Sequence, residues 1–292
     1  MVLDKKWFTG KINDFLSNDE SNKMIGVDSS FIFEPNTIVG FVSGNDSIFN
    51  DYKDIIGKFH LTPIEAFSKF CEKNNQSSTL NDLSIVTFVL PINKETKKEN
   101  SEYSKEMPSE KWAHTRLFGE QANQKLHKYL VQELKKEGIN AVAPIIEDYL
   151  FEIFRNHEKG VWASTWSHRH MLFASGLGSF GLSDGFINAR GKAMRCGSII
   201  VDFKLPSDAG ERPSDPYEYC TECGDCIKRC PAGAISFETR HDKQKCYAHV
   251  FTTTPYIRKN YGIDIYGCGL CQVSVSCSSD IPVKKSQDLE VN

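Results

Sequence analysis

Two kinds of hydrophobic pattern alternate along the chain ahead of Cys220. Leu83–Ile92 is a continuous apolar run, rich in β-branched residues and closed by a proline, which predicts a buried central strand. Three shorter runs predict further strands: Thr37–Val42, Ile139–Ile146 and Gly197–Leu205. From Glu120 to Gly138 the apolar residues return at helical spacing, which predicts a helix. This alternation is typical of an α/β or α+β layered domain, and it leaves the strand order open.

Polar stretches and the cysteines suggest how the chain is divided. Asn93–Lys111 is charged and poor in apolar residues, so we expect an exposed loop that could act as a lid. Lys204–Glu218 is rich in proline, serine and acidic residues, as a linker is. Eight of the ten cysteines lie between Cys220 and Cys277. We therefore predict an α+β domain at 1–205 and a smaller cysteine-bearing domain at 206–292.

Charge and composition narrow the class of protein. The 292 residues carry 35 Lys and Arg against 38 Asp and Glu, a net charge of −3, which gives no basic surplus for nucleic acid or an anionic membrane. No apolar run is long enough to span a bilayer, and the polar N-terminus has neither an apolar export segment nor a twin arginine. We expect a cytoplasmic protein. In that compartment ten cysteines favour metal binding over disulfides.

The cysteine spacing is the most specific signal in the chain. Cys220, Cys223, Cys226 and Cys230 follow the bacterial-ferredoxin spacing, with Pro231 directly after the last. Four more cysteines follow: Cys246, Cys268, Cys271 and Cys277. Eight thiolates suit two 4Fe–4S clusters. In two-cluster ferredoxins the fourth cysteine of the run serves the other cluster, a crossed pairing. That rule groups Cys220, Cys223, Cys226 and Cys277 for one cluster, and Cys230, Cys246, Cys268 and Cys271 for the other.

Zinc is the alternative for these cysteines, because C-x2-C pairs also suit zinc sites. A zinc site, however, needs neither a third cysteine at the same spacing nor the proline. The two remaining cysteines, Cys71 and Cys196, are expected in the core, although Arg195 could lower the pKa of its neighbour Cys196.

A glycine string, "GLGSFG" from Gly176 to Gly181, allows close approach of the backbone to a flat ligand or to other backbone. It also fits the dinucleotide-binding spacing, which would require a preceding strand and a later acidic residue. The residues before it, from Ser164 to Ser175, are more typical of a helix. His168 and His170 in that segment could bind a metal, but we expect ordinary hydrogen-bonded histidines.

From Ser167 to Pro282 the sequence resembles the cobalamin-dependent reductases, that is, the epoxyqueuosine reductases of tRNA modification and the corrinoid reductive dehalogenases. "ASGLGSFGLSDGFI", "RCGSIIVD", the cysteine run and "YGCGLCQ" carry this resemblance. It implies a nitroreductase-like α+β domain that holds base-off cobalamin, followed by a bacterial-type two-cluster ferredoxin domain. It also implies that the cluster of Cys230, Cys246, Cys268 and Cys271 lies nearer the corrin. Candidate corrin-binding residues are Gly176, Gly178, Ser179, Phe180, Gly181, Leu182, Arg195, Cys196, Gly197, Ser198, Gln272, Ser274 and Val275.

The sequence departs from this family at the proton donor. Aligned with the epoxyqueuosine reductases, Gln121 takes the place of their aspartate, and a neutral amide cannot supply an acid proton. Glu120 is adjacent but would point about 100° away on a helix. The dehalogenases are expected to use a tyrosine, for which Tyr103 and Tyr149 are candidates by location only.

Three functions are compatible with these features. The first is a cobalamin- and iron–sulfur-dependent reductase that takes electrons from a donor such as flavodoxin or ferredoxin and reduces a small-molecule or protein-bound substrate. The second is a corrinoid protein that transfers electrons to, or reactivates, another protein. The third is a two-cluster ferredoxin with a flavin or nucleotide domain. A tRNA substrate is compatible with the resemblance but has no support in the charge.

Overall fold

The computed structural model describes residues 2–77, 80–155 and 162–283. Its helices are α1 Lys5–Asn18, α2 Ile48–Ile55, α3 Pro63–Asn74, α4 Lys94–Glu102, α5 Glu110–Lys136, α6 His168–Ala174, α7 Asp225–Arg229 and α8 Lys243–Tyr261. Its strands are β1 Ile38–Ser43, β2 Ser84–Pro91, β3 Ala141–Val142, β4 Ile153–Phe154, β5 Ala163–Ser164, β6 Gly178–Phe180, β7 Phe186–Asn188, β8 Met194–Val201, β9 Ile235–Ser236 and β10 Arg240–His241. Across these ranges no helix has the length and apolar character needed to cross a membrane.

The largest sheet has four strands in the order β1-β2-β8-β3, and every neighbouring pair is antiparallel. All eight residues of β2 are buried, which confirms the predicted central strand. The strand expected at Ile139–Ile146 is only two residues long, because Pro144 lacks a backbone N–H and a 3-10 turn follows. The mixture of helices with an antiparallel sheet agrees with the α+β class. The nitroreductase-like and ferredoxin-like assignments remain predictions.

Both faces of this sheet are covered by helices. Alternate residues of β2 point to opposite faces, so Phe88 packs with α1 and α5, while Ile85 packs with α2, α3 and α6. The helix predicted from Glu120 is the second half of α5, which spans 27 residues. Because α5 lies along the sheet, its inward face runs beside β8, and this arrangement positions the site described below.

The expectation of an exposed loop at Asn93–Lys111 was wrong. Residues 94–102 form α4, and α5 begins at Glu110. The Asn93 side chain caps α4 by accepting from the Glu95 N–H at 2.7 Å. Asn100 is fully buried and donates to the Cys268 carbonyl at 3.2 Å. Capping and this contact stabilise a helix that has almost no apolar residues of its own.

The segment Lys204–Glu218, expected to be a linker or surface loop, is an irregular segment that is hydrogen-bonded to the sheet. Asp208 accepts from the Phe41 N–H at 2.8 Å and donates its own N–H to the Phe41 carbonyl at 2.8 Å. Arg212 pairs with Asp46 at 2.6 Å. These bonds cover the free edge of β1, which would otherwise expose unpaired backbone groups. The division into domains at residue 205 remains a prediction.

Among the described residues, His60 and His127 have no exposed surface and make no hydrogen bond at Nε2. His60 lies between Trp166 and Tyr52, and neither of its ring nitrogens has a partner. His127 stacks on His168 at 5.2 Å. Burial lowers the pKa of His60 to about 4 and the pKa of His127 to about 4. Both imidazoles are therefore neutral in the folded protein.

These buried histidines predict acid sensitivity. In the unfolded chain both titrate near pH 6.5, so the free energy of unfolding should fall as pH drops from about 6.5 to 4, by up to about 3 kcal/mol for each histidine. Replacing His60 with Phe keeps the ring packing and removes one titration. Denaturant unfolding between pH 7.5 and pH 4.5 should show a smaller decline for His60→Phe than for wild type. His249→Phe, at a half-exposed position, is the control, and equal declines in all three proteins would contradict the prediction.

Candidate metal centres and an adjoining charged cleft

Four cysteines from two distant segments line one cavity. They are Cys220, Cys223, Cys226 and Cys277, which we call the first cysteine group. Gly181, Leu182 and Lys192 complete much of the wall. Cys226 lies in the first turn of α7, whereas Cys277 belongs to the C-terminal part of the chain. The cavity thus gathers the cysteines that the crossed pairing assigns to one cluster.

Backbone and side-chain groups surround the sulfurs of this group. The Leu182 N–H donates to the Cys220 sulfur at 3.4 Å, and the Ser276 hydroxyl lies 3.2 Å from the Cys223 sulfur. Hydrogen bonds to thiolate sulfur stabilise negative charge, and around iron–sulfur clusters they tune the reduction potential. The first group is therefore built to hold thiolates, even though burial raises the pKa of Cys277.

The second cysteine group comprises Cys230, Cys246, Cys268 and Cys271, and its members act on each other electrostatically. Burial raises the pKa of Cys268 to about 12. The neighbours that raise this pKa further are the other three thiols of the group: Cys271, Cys246 and Cys230. Burial also raises the pKa of Cys271 to about 11, with Cys246 and Cys230 adding to the shift. Ionising all four cysteines to thiolates requires compensating positive charge, as bound metal supplies.

Zinc is the alternative to iron–sulfur clusters at both cysteine groups. Within residues 2–77, 80–155 and 162–283, no three His, Cys, Asp or Glu side chains lie close enough to share one ion. A tetrahedral zinc site holds its thiolates about 2.3 Å from the metal, whereas a cluster of four irons spans more space. Metal analysis of the protein distinguishes the two.

The second group is fixed against α5 through Gly269. This glycine has φ +69°, and a Cβ there would lie 2.0 Å from the Trp112 ring. Only glycine therefore allows the segment carrying Cys268 and Cys271 to lie this close to the helix. Beside it, Arg116 stacks over the Tyr266 ring at 5.1 Å. The close approach brings the second group next to the charged side chains of α5.

Lys192 is a buried positive charge between the two groups. Its side chain is 3% exposed, and its ammonium donates to the Ser183 hydroxyl at 3.1 Å. Burial raises the pKa values of the Cys226, Cys271 and Cys277 thiols, and the Lys192 charge lowers each of them. Nothing in the sequence marked this residue, because a lysine in "ARGKAM" is usually exposed. The fold alone makes it a candidate for tuning both centres.

Charged side chains from α5, α6 and β8 lie near the second group. Arg195 of β8 lies 4.0 Å from the Glu120 carboxylate. One turn along α5, Asn123 donates to the Cys196 carbonyl at 3.0 Å. Burial and the guanidinium groups of Arg116 and Arg169 lower the pKa of Arg195 to about 10, while Glu120 opposes them. We refer to Arg116, Arg169, Arg195 and Glu120 as the arginine cleft. Sequence reasoning missed Arg116 and Arg169.

The structure places the four candidate proton donors in different environments. Glu120 faces the cleft, whereas Gln121 is exposed on the outer side of α5. Tyr103 is 46% exposed and hydrogen-bonds the Tyr256 hydroxyl near the end of α4. Tyr149 lies near Glu147, which together with burial raises its pKa. Of the four, only Glu120 is placed in the arginine cleft.

Arg195 lowers the pKa of Cys196, as expected, but burial outweighs this effect. Burial raises the pKa of Cys196 to about 11, and the nearby arginines only partly oppose this shift. Cys71 lies in the core, as predicted. His168 and His170 are hydrogen-bonded through Nδ1 to Ser198 at 2.7 Å and Ser167 at 2.8 Å, as also predicted.

The glycine string does not form a nucleotide loop, because it follows α6 rather than a strand and leads into the hairpin of β6 and β7. Its glycines lie against other parts of the protein. A Cβ on Gly178 would lie 2.1 Å from the Ile187 carbonyl oxygen, and one on Gly176 would lie 2.8 Å from the Asp208 carbonyl oxygen. A Cβ on Gly197 would meet Phe88 at 2.1 Å. At these positions the glycines allow close packing of protein on protein.

The remaining candidate corrin contacts are similarly engaged. The Ser179 hydroxyl accepts from the Tyr219 N–H at 2.9 Å, and the Ser198 hydroxyl bonds Trp166 and His168. Phe180 packs among other aromatic rings. Gly181, Leu182 and Val275 line the first cysteine cavity, Gln272 is half-buried, and Ser274 is exposed at a positive φ of 52°. The assignment of these residues to a corrin site remains a prediction.

Comparison with known proteins adds a family resemblance in sequence. No family model matches the chain. The chain is 25% identical over 174 residues to an epoxyqueuosine reductase of Francisella cf. novicida, covering 56% of this chain and 44% of that protein. It is 30% identical over 112 residues to an epoxyqueuosine reductase of Staphylococcus aureus, covering 36% of this chain and 28% of that protein. The chain is similar to epoxyqueuosine reductases. These named relatives are reductases, and the chain matches less than half of their length.

Solved structures show the same fold. A catabolic reductive dehalogenase in complex with 3-bromo-4-hydroxybenzoic acid superposes with a TM-score of 0.52 and 15% identity, covering 85% of this chain and 30% of that one. A second reductive dehalogenase structure, whose description concerns B12-dependent dehalogenation, gives a TM-score of 0.50 at 14% identity, with the same coverage. At these identities the likeness extends to the fold alone.

The packing at Gly178 generates a prediction. Gly178→Ala forces the hairpin of β6 and β7 apart, because the added carbon meets backbone, and should lower the free energy of unfolding by about 2 kcal/mol or more. Gly10→Ala is the matched control: it lies inside α1 with open space around it, and the change should raise stability by up to about 1 kcal/mol. Denaturant unfolding measures both. A Gly178→Ala protein as stable as wild type would show that the hairpin has room at this position.

Proposed function

We propose that this protein is an iron–sulfur oxidoreductase similar to the epoxyqueuosine reductases, with one 4Fe–4S cluster on each cysteine group. The observation that carries the proposal is the cavity lined by Cys220, Cys223, Cys226 and Cys277. In it the first three cysteines of the run lie together with Cys277, which is distant in sequence, as the crossed pairing requires. The electrostatic interactions among the cysteines of the second group support these four residues as the ligands of the other cluster. Sequence relatives named as reductases support the class of activity.

Exposure suggests the direction of electron flow. Cys223 is exposed, so the first cluster lies near the surface, where an external donor such as flavodoxin or ferredoxin can reach it. The second group lies against α5, next to the arginine cleft. Electrons would therefore enter at the first group and leave from the second, one at a time. Glu120 is the acidic side chain of the arginine cleft, and we propose it as the proton donor for a substrate reduced there.

A corrinoid between the clusters and the substrate is the finer version of this proposal. It is supported by the sequence resemblance and by the B12-dependent dehalogenation named for a protein of similar fold. The glycines and serines proposed to hold a corrin already have protein partners, so we route no step through it. The cleft with Glu120 favours an enzyme over a corrinoid electron-transfer or reactivating protein. Titrating anaerobic protein with cobalamin and following its visible absorption tests the point directly.

Iron content tests the two clusters and their pairing. Anaerobically prepared protein should hold about eight iron and eight sulfide per chain. Cys223→Ala should lose the first cluster and keep about four iron. Under the crossed pairing, adding Cys277→Ala removes nothing more, whereas adding Cys230→Ala removes the second cluster as well.

Cys71→Ala is the control for the iron measurement, because this buried cysteine lies in the core of the sheet and should leave the full content. If the Cys223/Cys277 double variant loses all iron while the Cys223/Cys230 double variant keeps half, the pairing is uncrossed. Stoichiometric zinc in wild-type protein would contradict the proposal altogether.

Replacing Lys192 is expected to shift the reduction potential of the first cluster. Its positive charge favours the reduced cluster, so Lys192→Met should make the midpoint potential of the first cluster more negative. The shift should be on the order of 100 mV, because a unit charge about 7 Å away at an effective dielectric of about 20 contributes roughly 2 kcal/mol. Lys228→Met, at an exposed position on α7, should change the potential little, because water screens that charge. An anaerobic redox titration followed by electron paramagnetic resonance measures both, and equal potentials in the two variants would rule out this role for Lys192.

A further inference from the structure

Two polar side chains of α5 reach consecutive residues of β8. Asn123 donates an amide hydrogen to the Cys196 carbonyl at 3.0 Å. His127, one turn farther along the helix, lies with its ring edge against Gly197, since a Cβ on that glycine would be 2.6 Å from the His127 Cε1 atom. Neighbouring residues of a strand are about 3.3 Å apart, so both side chains meet one short stretch of β8.

His168 of α6 reaches the next residue of the strand, Ser198. Its Nδ1 lies 2.7 Å from the Ser198 hydroxyl, and its ring stacks on the ring of His127 with centroids 5.2 Å apart. Three side chains from two helices therefore converge on three consecutive residues of β8. We call Asn123, His127 and His168 the buried polar group.

Each member of the buried polar group has one atom without a hydrogen-bond partner among the described residues. These atoms are Asn123 Oδ1, His127 Nε2 and His168 Nε2, and each is shielded from bulk solvent. Asn123 is 3% exposed and His127 is fully buried. Leaving a buried polar atom unpaired is costly, and native proteins pair nearly all of them. Three such atoms on one short stretch of strand indicate a bound ligand.

The hydrogens of the two neutral imidazoles follow from the bonds of their other nitrogens. His127 Nδ1 lies 2.7 Å from the Asn123 backbone carbonyl, which only accepts, so the hydrogen is on Nδ1 and Nε2 is an acceptor. Trp166 Nε1 can only donate, and it donates to the Ser198 hydroxyl at 2.9 Å. Within the described residues that hydroxyl bonds no acceptor except His168 Nδ1, so the hydrogen of His168 is on Nε2.

We propose that the buried polar group binds one water molecule. The group presents two acceptors, Asn123 Oδ1 and His127 Nε2, and one donor, the Nε2–H of His168. Stacked rings cannot bond each other directly, because an imidazole N–H and lone pair lie in the plane of the ring. Water offers two hydrogens and an accepting oxygen, and the resulting three bonds are typical of a buried water. The N–H disfavours a metal ion at this position, and the two acceptors disfavour an anion.

This water site goes beyond the proposed function and does not depend on the clusters. β3 pairs only with Ile200 and Val201 of β8, so farther along β8 the buried polar group takes the place of a neighbouring strand. His127 is seven residues, about two turns, beyond Glu120 and so lies on the same face of α5. The water would therefore join α5, α6 and β8 beneath the helix face that carries Glu120.

A high-resolution crystal structure of cluster-loaded protein tests the site. The expected result is one density peak at hydrogen-bonding distance, about 2.7–3.2 Å, from all three unpaired atoms. No peak there, in a map that shows other buried waters, would overturn the proposal. Contacts near 2.1 Å from the two Nε2 atoms would overturn it as well, because that distance indicates a metal ion.

Nitrogen NMR of the oxidised protein with isotope-labelled histidine tests the placement of the hydrogens. His127 should be protonated at Nδ1 and His168 at Nε2. The opposite tautomer at either histidine would remove the match of donors and acceptors and so overturn the water assignment. This measurement and the crystal structure both use wild-type protein, so they decide the question even if the variants below do not fold.

Phenylalanine variants test whether the two histidines share one ligand. His127→Phe and His168→Phe keep the stacked rings, and each should lower the folding equilibrium constant at least about fivefold, because the remaining atoms lose their partner. The double variant should lose less than the product of the two single losses, since both residues act through the same water. His249→Phe, the same change at a half-exposed position, should shift the constant by less than about twofold. Losses that multiply in the double variant would contradict a shared ligand.

Discussion

The close contact between two backbone segments, Gly191–Ala193 and Cys277–Ser279, is the interaction on which the site depends. The Lys192 N–H donates to the Cys277 carbonyl at 2.9 Å, and the Ala193 N–H to the Ser278 carbonyl at 3.3 Å. Gly191 has φ +75°, and a Cβ there would lie 2.3 Å from the Ser279 nitrogen. Only glycine permits this approach. It fixes Cys277 relative to β8, and so places the remote ligand of the first group and the arginine cleft in one frame.

The contact between these two backbone segments also determines where the positive charge of Lys192 lies. Since Lys192 sits between Gly191 and Ala193, its side chain is carried into the space beside Cys277. There it is buried beside a hydroxyl and thiols, and no carboxylate within the described residues pairs with it. A lone buried ammonium would be costly. Beside four thiolates it offsets part of their repulsion instead. The chain thus balances buried negative charge at the cysteines with a cation that the backbone delivers, rather than with surface ion pairs that water would screen.

The strongest sequence signals were local. The apolar run of β2 and the spacing of the cysteine run each indicate one structure with little help from the rest of the chain. Helix α4 could not be predicted in this way, since its stability depends on the Asn93 cap and on the bond from Asn100 to Cys268, a partner far along the sequence. The proximity of Arg116 and Arg195 could not be predicted for the same reason, because the two residues come near each other only when α5 lies along β8. The protein partners of Ser179 and Ser198 likewise appear only in the fold.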